Sequence, residues 1–324
     1  MKAIVRDRYG SPDVVEVHEV DKPVLGADDV LVRVRASSLN AADLDFVYGR
    51  PWAARIGIGL RAPRQRVLGV DVAGEVEAVG GNVTELKPGD AVFGDMYEFG
   101  QGAFAEYVSA PARAFAPKPD GMTFEVAATL PHAAILALQG LRGGRSIQAG
   151  HRVLVNGASG NVGPFAVQIA KTRGAEVTGV CSTDKMELVR SIGADHVIDY
   201  TREDFTRNGQ RYDFILDVIA RHSIFDYRRS LAPGGRYVCV GGTGGRLLQV
   251  LILGALLSLT DSRKLALMVW WKPFKREDVA TLVELIEAGQ VTPVIDRIFP
   301  LSQVPEALRY LDDGHARGKV LITM

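Results

Sequence analysis

One segment constrains this chain more than any other: Val153-Leu154-Val155-Asn156-Gly157-Ala158-Ser159-Gly160-Asn161-Val162-Gly163. A short aliphatic run of buried-strand type enters a glycine-rich turn, and the turn opens the amphipathic stretch NVGPFAVQIAKTRG. Glycines at 157, 160 and 163, with Ala158 in the first position of a GxGxxG pattern, make an AxGxxG variant. Without a side chain, Gly160 lets backbone N–H groups approach a pyrophosphate, and Gly163 lets the helix lie close to the strand. The positive end of the helix then faces the phosphates. Pro164 sits in the first helical turn, where a missing N–H loses no intrahelical bond. The segment predicts a dinucleotide site lined by Gly157, Ala158, Ser159, Gly160, Asn161, Val162 and Gly163.

The sequence on either side of this turn alternates in a regular way. HRVLVNGAS, AEVTGVCS, HVIDY, RYDFILDVIA and GRYVCVGG read as strands, with helices at NVGPFAVQIAKTRG, MELVRSIGA and RHSIFDYRRSLAPGG. Strands alternating with short helices imply a parallel sheet covered on both faces. KLALMVWW reads as one more strand at an edge, and REDVATLVELIEAG as an amphipathic helix stopped by Gly289. The first 120 residues differ. Val30, Val32 and Val34 alternate with Leu31, Arg33 and Arg35, and VVEVHEV, VAGEVEAVG, DAVFG and FAEYVS are further strand-like pieces between turn residues. MTFEVAATLPHAAILALQGL is helical in composition, with a break at Pro131. The tail returns to the β style, so two domains are expected: a β-domain from 1–120 and 273–324, and an α/β domain inserted at 121–272.

Composition narrows the partners. Lys+Arg and Asp+Glu both number 38, so no whole-molecule attraction to nucleic acid is expected. Arginines at 50, 55, 61, 64 and 66 form a local run without acids, read as a solvated loop in preference to an anion site. The two cysteines, Cys181 and Cys239, lie in apolar runs and predict buried thiols and a cytoplasmic setting. Leu247 to Leu259 is too short to span a bilayer and reads as a buried or subunit-contact helix, with a peripheral membrane contact as the alternative, so no stable membrane insertion is expected.

The tip of the second strand selects the dinucleotide. An NAD site usually places an acid there for the ribose hydroxyls. Here Cys181 and Ser182 are followed by Thr183, Asp184 and Lys185, with Tyr200 ending the next strand. Hydroxyls and an ammonium suit a 2′-phosphate, which predicts NADPH. Asp184 is expected to cap the following helix instead.

SSLNAAD, LGVDVAGEVEAVG, KPGDAVFG, GAFAEYV, VLVNGASGNVG, LVRSIGADHVIDY and GHARGKV together resemble the medium-chain dehydrogenase/reductase superfamily, in its zinc-free quinone oxidoreductase branch. The likeness covers nearly the whole chain. It implies a fold of class α/β, with a GroES-like β-domain and a Rossmann doubly wound parallel-sheet domain, and substrate and nicotinamide in the cleft between. Zinc-dependent relatives carry a cysteine where this chain has Leu39-Asn40 and a GHE motif where it has Gly69-Val70-Asp71. No metal site is therefore expected. Without a Lewis acid, a conjugated acceptor is favoured because it spreads the developing charge. The resemblance makes Asn40 the cleft asparagine for cofactor or substrate, with Asp43 bonding the local backbone. Tyr48 is a candidate proton donor and His132 a candidate catalytic histidine. Val218, Ile219, Gly241 and Gly242 are expected beside the nicotinamide, and Lys319 near a cofactor phosphate. These readings predict an NADPH-dependent reductase of a small quinone or α,β-unsaturated carbonyl, working as a homodimer that pairs at KLALMVWW. The alternatives are a biosynthetic enoyl reductase and a non-catalytic NADPH-binding sensor.

Overall fold

In a computed structural model the described residues are 1–143, 147–260 and 262–324, and the elements below are those among them. The strands, in chain order, are β1 (Lys2–Arg6), β2 (Val15–Glu19), β3 (Asp29–Ser38), β4 (Asp71–Val79), β5 (Ala91–Asp95), β6 (Tyr107–Pro111) and β7 (Phe115–Pro117). They continue with β8 (Arg152–Asn156), β9 (Glu176–Cys181), β10 (His196–Asp199), β11 (Tyr212–Asp217), β12 (Leu231–Cys239) and β13 (Lys264–Leu267). The last two are β14 (Ile295–Pro300) and β15 (Lys319–Thr323).

The chain divides into two compact units. One takes Met1–Ile135, Pro273–Val283 and Ile295–Met324, the other Leu136–Lys272 and Glu284–Val294. The first unit thus keeps the segment 121–135, whose helix Phe124–Ala128 packs on β3 and β4. Its main sheet runs β14-β15-β3-β4-β5-β7, with β6 also paired to β3, and β1 and β2 form a separate hairpin-like pair. β3 shows the two unlike faces its alternation suggests at Val32 to Ala36, where Arg33 and Arg35 are exposed between buried neighbours, and departs from them only at Leu31. Val30, Leu31 and Val32 are all buried, because β4 and β6 both pair with this end of the strand.

The second unit is the expected doubly wound sheet. Its order is β10-β9-β8-β11-β12-β13, all pairs parallel. The order reverses between β8 and β11, and ligands of such sheets lie at the carboxyl ends of the strands flanking a reversal. β13 is the edge strand but ends at Leu267; Val269 and Trp270 lie past it and are exposed. Pro131 separates Phe124–Ala128 from the helix Ala133–Arg142, as a proline lacking its N–H should.

A fully buried carboxylate organises the reversal point. Asp217 Oδ1 accepts from Asn156 Nδ2 at 2.8 Å, from Ile219 N at 3.1 Å and from Ala220 N at 2.9 Å. Its Oδ2 accepts from the Tyr237 hydroxyl at 2.9 Å. One side chain thus ties together the ends of β8, β11 and β12 and shapes the turn at 218–220. Removing a charged acceptor from buried donors strands them all. Asp217→Ala is expected to cost about 3–5 kcal/mol in urea unfolding, and Tyr237→Phe only about 1.5–3 kcal/mol.

Candidate active site

In the second unit, the glycine turn has the geometry a phosphate cradle needs. Gly157 has φ +87, and Gly157 N and Ala158 N both donate to Val180 O of β9. A Cβ on Gly163 would stand 2.2 Å from Gly157 O, so the helix Gly163–Thr172 approaches the strand only because that residue is glycine. A Cβ on Gly160 would meet nothing closer than 3.7 Å, which leaves the space beside it open to an approaching group, while its N–H turns back to Gly157 O at 3.3 Å. Ala158, Ser159, Val162 and Gly163 are buried in the turn, and Gly160 and Asn161 are partly open. A dinucleotide pyrophosphate fits this donor set: backbone N–H groups at the N-terminus of a helix.

The nicotinamide-side residues converge on the same end of the sheet. Ile219 lies against Gly157, within 2.9 Å of where a Cβ there would sit. The Val218 carbonyl oxygen lies 2.8 Å from the corresponding point on Gly241, and Ala220 crowds Gly242. The structure therefore brings Gly157, Val218, Ile219, Gly241 and Gly242 together.

The tip of β9 is less simple than the sequence suggests. Cys181 is buried beneath it, and burial pushes its thiol up to about 11, so it is a wall rather than a nucleophile. Asp184 does not cap the next helix, whose N-cap position is Lys185; it accepts the Ser182 hydroxyl at 2.6 Å. Thr183 donates its hydroxyl to Asp199. Lys185 is only 9% exposed and lines the tip instead of projecting from it, while Tyr200 is 51% exposed. Asp199 and Arg202 (Nε to Oδ2 3.5 Å) are tip residues the motif reading missed, because they belong to the neighbouring strand end.

In the first unit, a buried polar cluster gathers around Asp71. Its Oδ2 accepts from Ser38 Oγ at 2.5 Å, Asn40 Nδ2 at 2.8 Å and Lys319 Nζ at 3.1 Å; its Oδ1 accepts from His132 N at 2.9 Å. Lys319 also donates to Asn40 Oδ1 at 2.7 Å and to Leu39 O at 3.2 Å. With three acceptors for three protons and 1% exposure, Lys319 has none to give a cofactor phosphate, which corrects the expectation for it. Asn40 is 2% exposed, and its amide nitrogen serves Asp71 and the Ser38 carbonyl; the amide holds the cluster together instead of reaching for a ribose or substrate. Tyr48 is also corrected. Its hydroxyl donates to Asp312 at 2.5 Å, and that carboxylate raises its pKa, which makes it a poorer proton donor.

His132 is buried beside this cluster. Its Nδ1 lies 3.1 Å from Asp95 Oδ2, and its ring faces that of Tyr97 at 5.3 Å between centroids. Burial works against the imidazolium, but the Asp95 hydrogen bond and the Asp95 and Asp71 charges outweigh it and raise the His132 pKa. Burial raises Asp95 as well, against the opposing hydrogen bond and charge of His132. Asp95 and Tyr97 lie just past KPGDAVFG, yet nothing in that motif marks them, because their partner is 37 residues away from Asp95. The arginine run is a surface loop in which Arg55 bonds the Gly49 and Tyr48 carbonyls and Arg66 pairs with Asp7. Among the described residues no three His, Cys, Asp or Glu side chains are placed to share a metal ion.

Asp43 accepts the Asn40 N–H on Oδ2 at 2.8 Å, while its buried Oδ1 has no partner. Burial raises its carboxyl well above the ordinary aspartate range, to about 7. The folded state therefore binds this proton more tightly than the unfolded chain, and the stability it contributes is lost as pH rises from about 4 through about 7. Asp43→Asn is expected to gain stability over the parent at pH 8 and to lose that advantage at pH 4, as followed by thermal unfolding.

Comparison with known proteins agrees with this arrangement. Residues 26–120 match the family model "Alcohol dehydrogenase GroES-like domain" and residues 192–322 match "Zinc-binding dehydrogenase". The chain is 33% identical to the mitochondrial NAD(P)H oxidoreductase of Mus musculus, over 100% of this chain and 89% of that protein. It is 34% identical to the chloroplastic NADPH-dependent alkenal/one oxidoreductase of Arabidopsis thaliana, over 99% of this chain and 79% of that protein. The quinone oxidoreductase of Coxiella burnetii superposes with a TM-score of 0.88 at 28% identity, covering 100% of this chain and 99% of that one. With the glycine turn on a doubly wound sheet and a GroES-like unit beside it in sequence, this chain belongs to the medium-chain dehydrogenase/reductase superfamily, in its quinone oxidoreductase-like branch, and is an oxidoreductase.

Proposed function

We propose that the protein is a zinc-independent, NADPH-dependent reductase of quinones or α,β-unsaturated carbonyls. The observation that carries this reading is the cradle at 157–163 with Val218, Ile219, Gly241 and Gly242 at the same strand ends. Bound there, NADPH would supply a hydride. The helix N-terminus would hold its pyrophosphate in the open space beside Gly160, and Ile219 would support one face of the ring. To a 2′-phosphate on that cofactor we assign the tip residues Ser182, Thr183, Lys185, Tyr200 and Arg202. Zinc independence is supported by the donor set, in which Asn40 and Asp71 stand in the segments where zinc-dependent relatives carry ligands and both are engaged with Lys319.

Hydride addition to a conjugated acceptor leaves an oxyanion that must gain a proton. His132, held by Asp95, is our candidate source, and Asn40, Asp71 and Lys319 are positioning residues that fix the His132 backbone. A second reading, an enoyl reductase for acyl thioesters, is favoured by the loop that exposes Trp52, Ile56 and Leu60 beside Arg50, Arg61 and Arg64. Apolar and cationic groups together suit an acyl chain on a phosphorylated carrier. A homodimer would form at the free edge of β13, where Lys264–Leu267 can pair with its own copy.

NADPH consumption should be followed with soluble quinones, enones and acyl thioesters, with and without a chelator. Turnover of the first two, unaffected by chelation, is expected; dependence on added zinc would overturn the reading. Titration should give at least about tenfold tighter binding of NADPH than NADH, since charge-assisted contacts are worth about 1.5–3 kcal/mol each. Lys185→Ala should weaken NADPH while sparing NADH.

His132→Gln is expected to lower kcat by on the order of 10²-fold. Because Asp95 holds the His132 proton, Asp95→Asn should move the alkaline limb of the kcat profile to lower pH. An unchanged limb would assign the proton to another group.

A further inference from the structure

The chain is helical without interruption from Gly244 to Thr260, through a π-helical turn at Val250–Gly254. One face is fully used. Val250 is buried in the core of the second unit, and Leu247, Leu253 and Leu257 pack against that core. The opposite face carries Leu248, Leu251, Ile252, Ala255, Leu256 and Leu259, spaced three and four apart, and all are exposed, Leu259 by 83%. Of the readings open to this segment, full burial is the one that does not hold, since only half of the helix surface is covered. A helix apolar on all sides belongs in an interior, and an uncovered stripe of this kind marks a contact surface.

The surroundings say what the contact is. Between residues 244 and 272 the sequence holds Arg246, Arg263, Lys264 and Lys272 against the single acid Asp261, in a chain whose charges otherwise balance at 38 and 38. Arg246 lies in the first helical turn, and the Lys264 ammonium reaches the Ser258 carbonyl near the other end at 2.6 Å. β13, which packs against the helix, leads to exposed Val269 and Trp270. Leucines on one face, cations at both ends and a tryptophan nearby are the composition of a segment that lies in a lipid interface. No helix among the described residues is long and apolar enough to cross a membrane. A second copy of this face is a poorer occupant, since a two-fold contact would set cationic ends near cationic ends.

We propose that the Gly244–Thr260 helix docks the protein on an anionic lipid surface, with its leucine stripe in the acyl boundary and Arg246, Arg263 and Lys264 at the headgroups. The attachment is peripheral and reversible, and it does not depend on the reaction or on bound cofactor.

The test is co-sedimentation of the full chain with phosphatidylcholine vesicles containing about a third phosphatidylglycerol, measured without NADPH or substrate. Saturable binding is expected, weakened by high salt and lost on pure phosphatidylcholine. Leu251→Gln and Leu256→Gln should each reduce the partition coefficient on the order of tenfold. NADPH binding by both variants in solution would show that they are folded. Absence of binding, or binding indifferent to the two leucines, overturns the proposal. So does a doubled mass in light scattering that the leucine variants abolish, because a second copy would then cover the face.

Discussion

The first unit depends on the burial of one carboxylate. Asp71 is fully enclosed at the start of β4, and an ion in that position is tolerable only with near-complete hydrogen bonding. It is met by a hydroxyl and an amide from the end of β3 and its following turn, a backbone N–H from His132, and the ammonium of Lys319 at the start of β15. Those partners lie up to 248 residues away in sequence. The pair of buried charges adds little net stability over an apolar substitute, but breaking it would leave an uncompensated ion. Its consequence is positional: the segments that carry Asn40 and His132 have one arrangement in which every charge is answered.

Asp217 does the corresponding task in the second unit with neutral partners. Its four acceptor contacts draw Asn156, Tyr237 and the 219–220 backbone to one point. That point lies at the sheet's order reversal, beside the glycine turn. The turn residues and the residues after β11 and β12 therefore share a rigid floor. In both units an aspartate at a strand end fixes loops that the sheet alone would leave undetermined.

Around these anchors, burial sorts residues that look alike in sequence. Lys319 and Lys185 look alike as phosphate ligands in sequence, yet Lys319 is consumed by three internal acceptors while Lys185 lines the tip of β9. Tyr48 closes the helix Ala41–Tyr48 and Tyr97 follows β5. Tyr48 is bound to Asp312 at the surface, whereas Tyr97 lies over the ring of His132. The helix at 244–260 shows the same limit in reverse: its composition reads as core, but a helix has two faces and the unit has core enough for one.

What the sequence by itself determined is local and periodic. Strand runs, the AxGxxG turn, the helix that follows it and the break at Pro131 all depend on residues within a few positions of one another, where backbone geometry and side-chain period act directly. The family was legible for the same reason, because its motifs are contiguous. Only the tertiary structure decided which polar groups meet. Asp71 with Lys319, His132 with Asp95 and Asn156 with Asp217 are joined across strands, and their pairing depends on sheet order and burial. No spacing in the chain encodes that, since a buried charge finds its partner through the need to be neutralised where the fold has placed it.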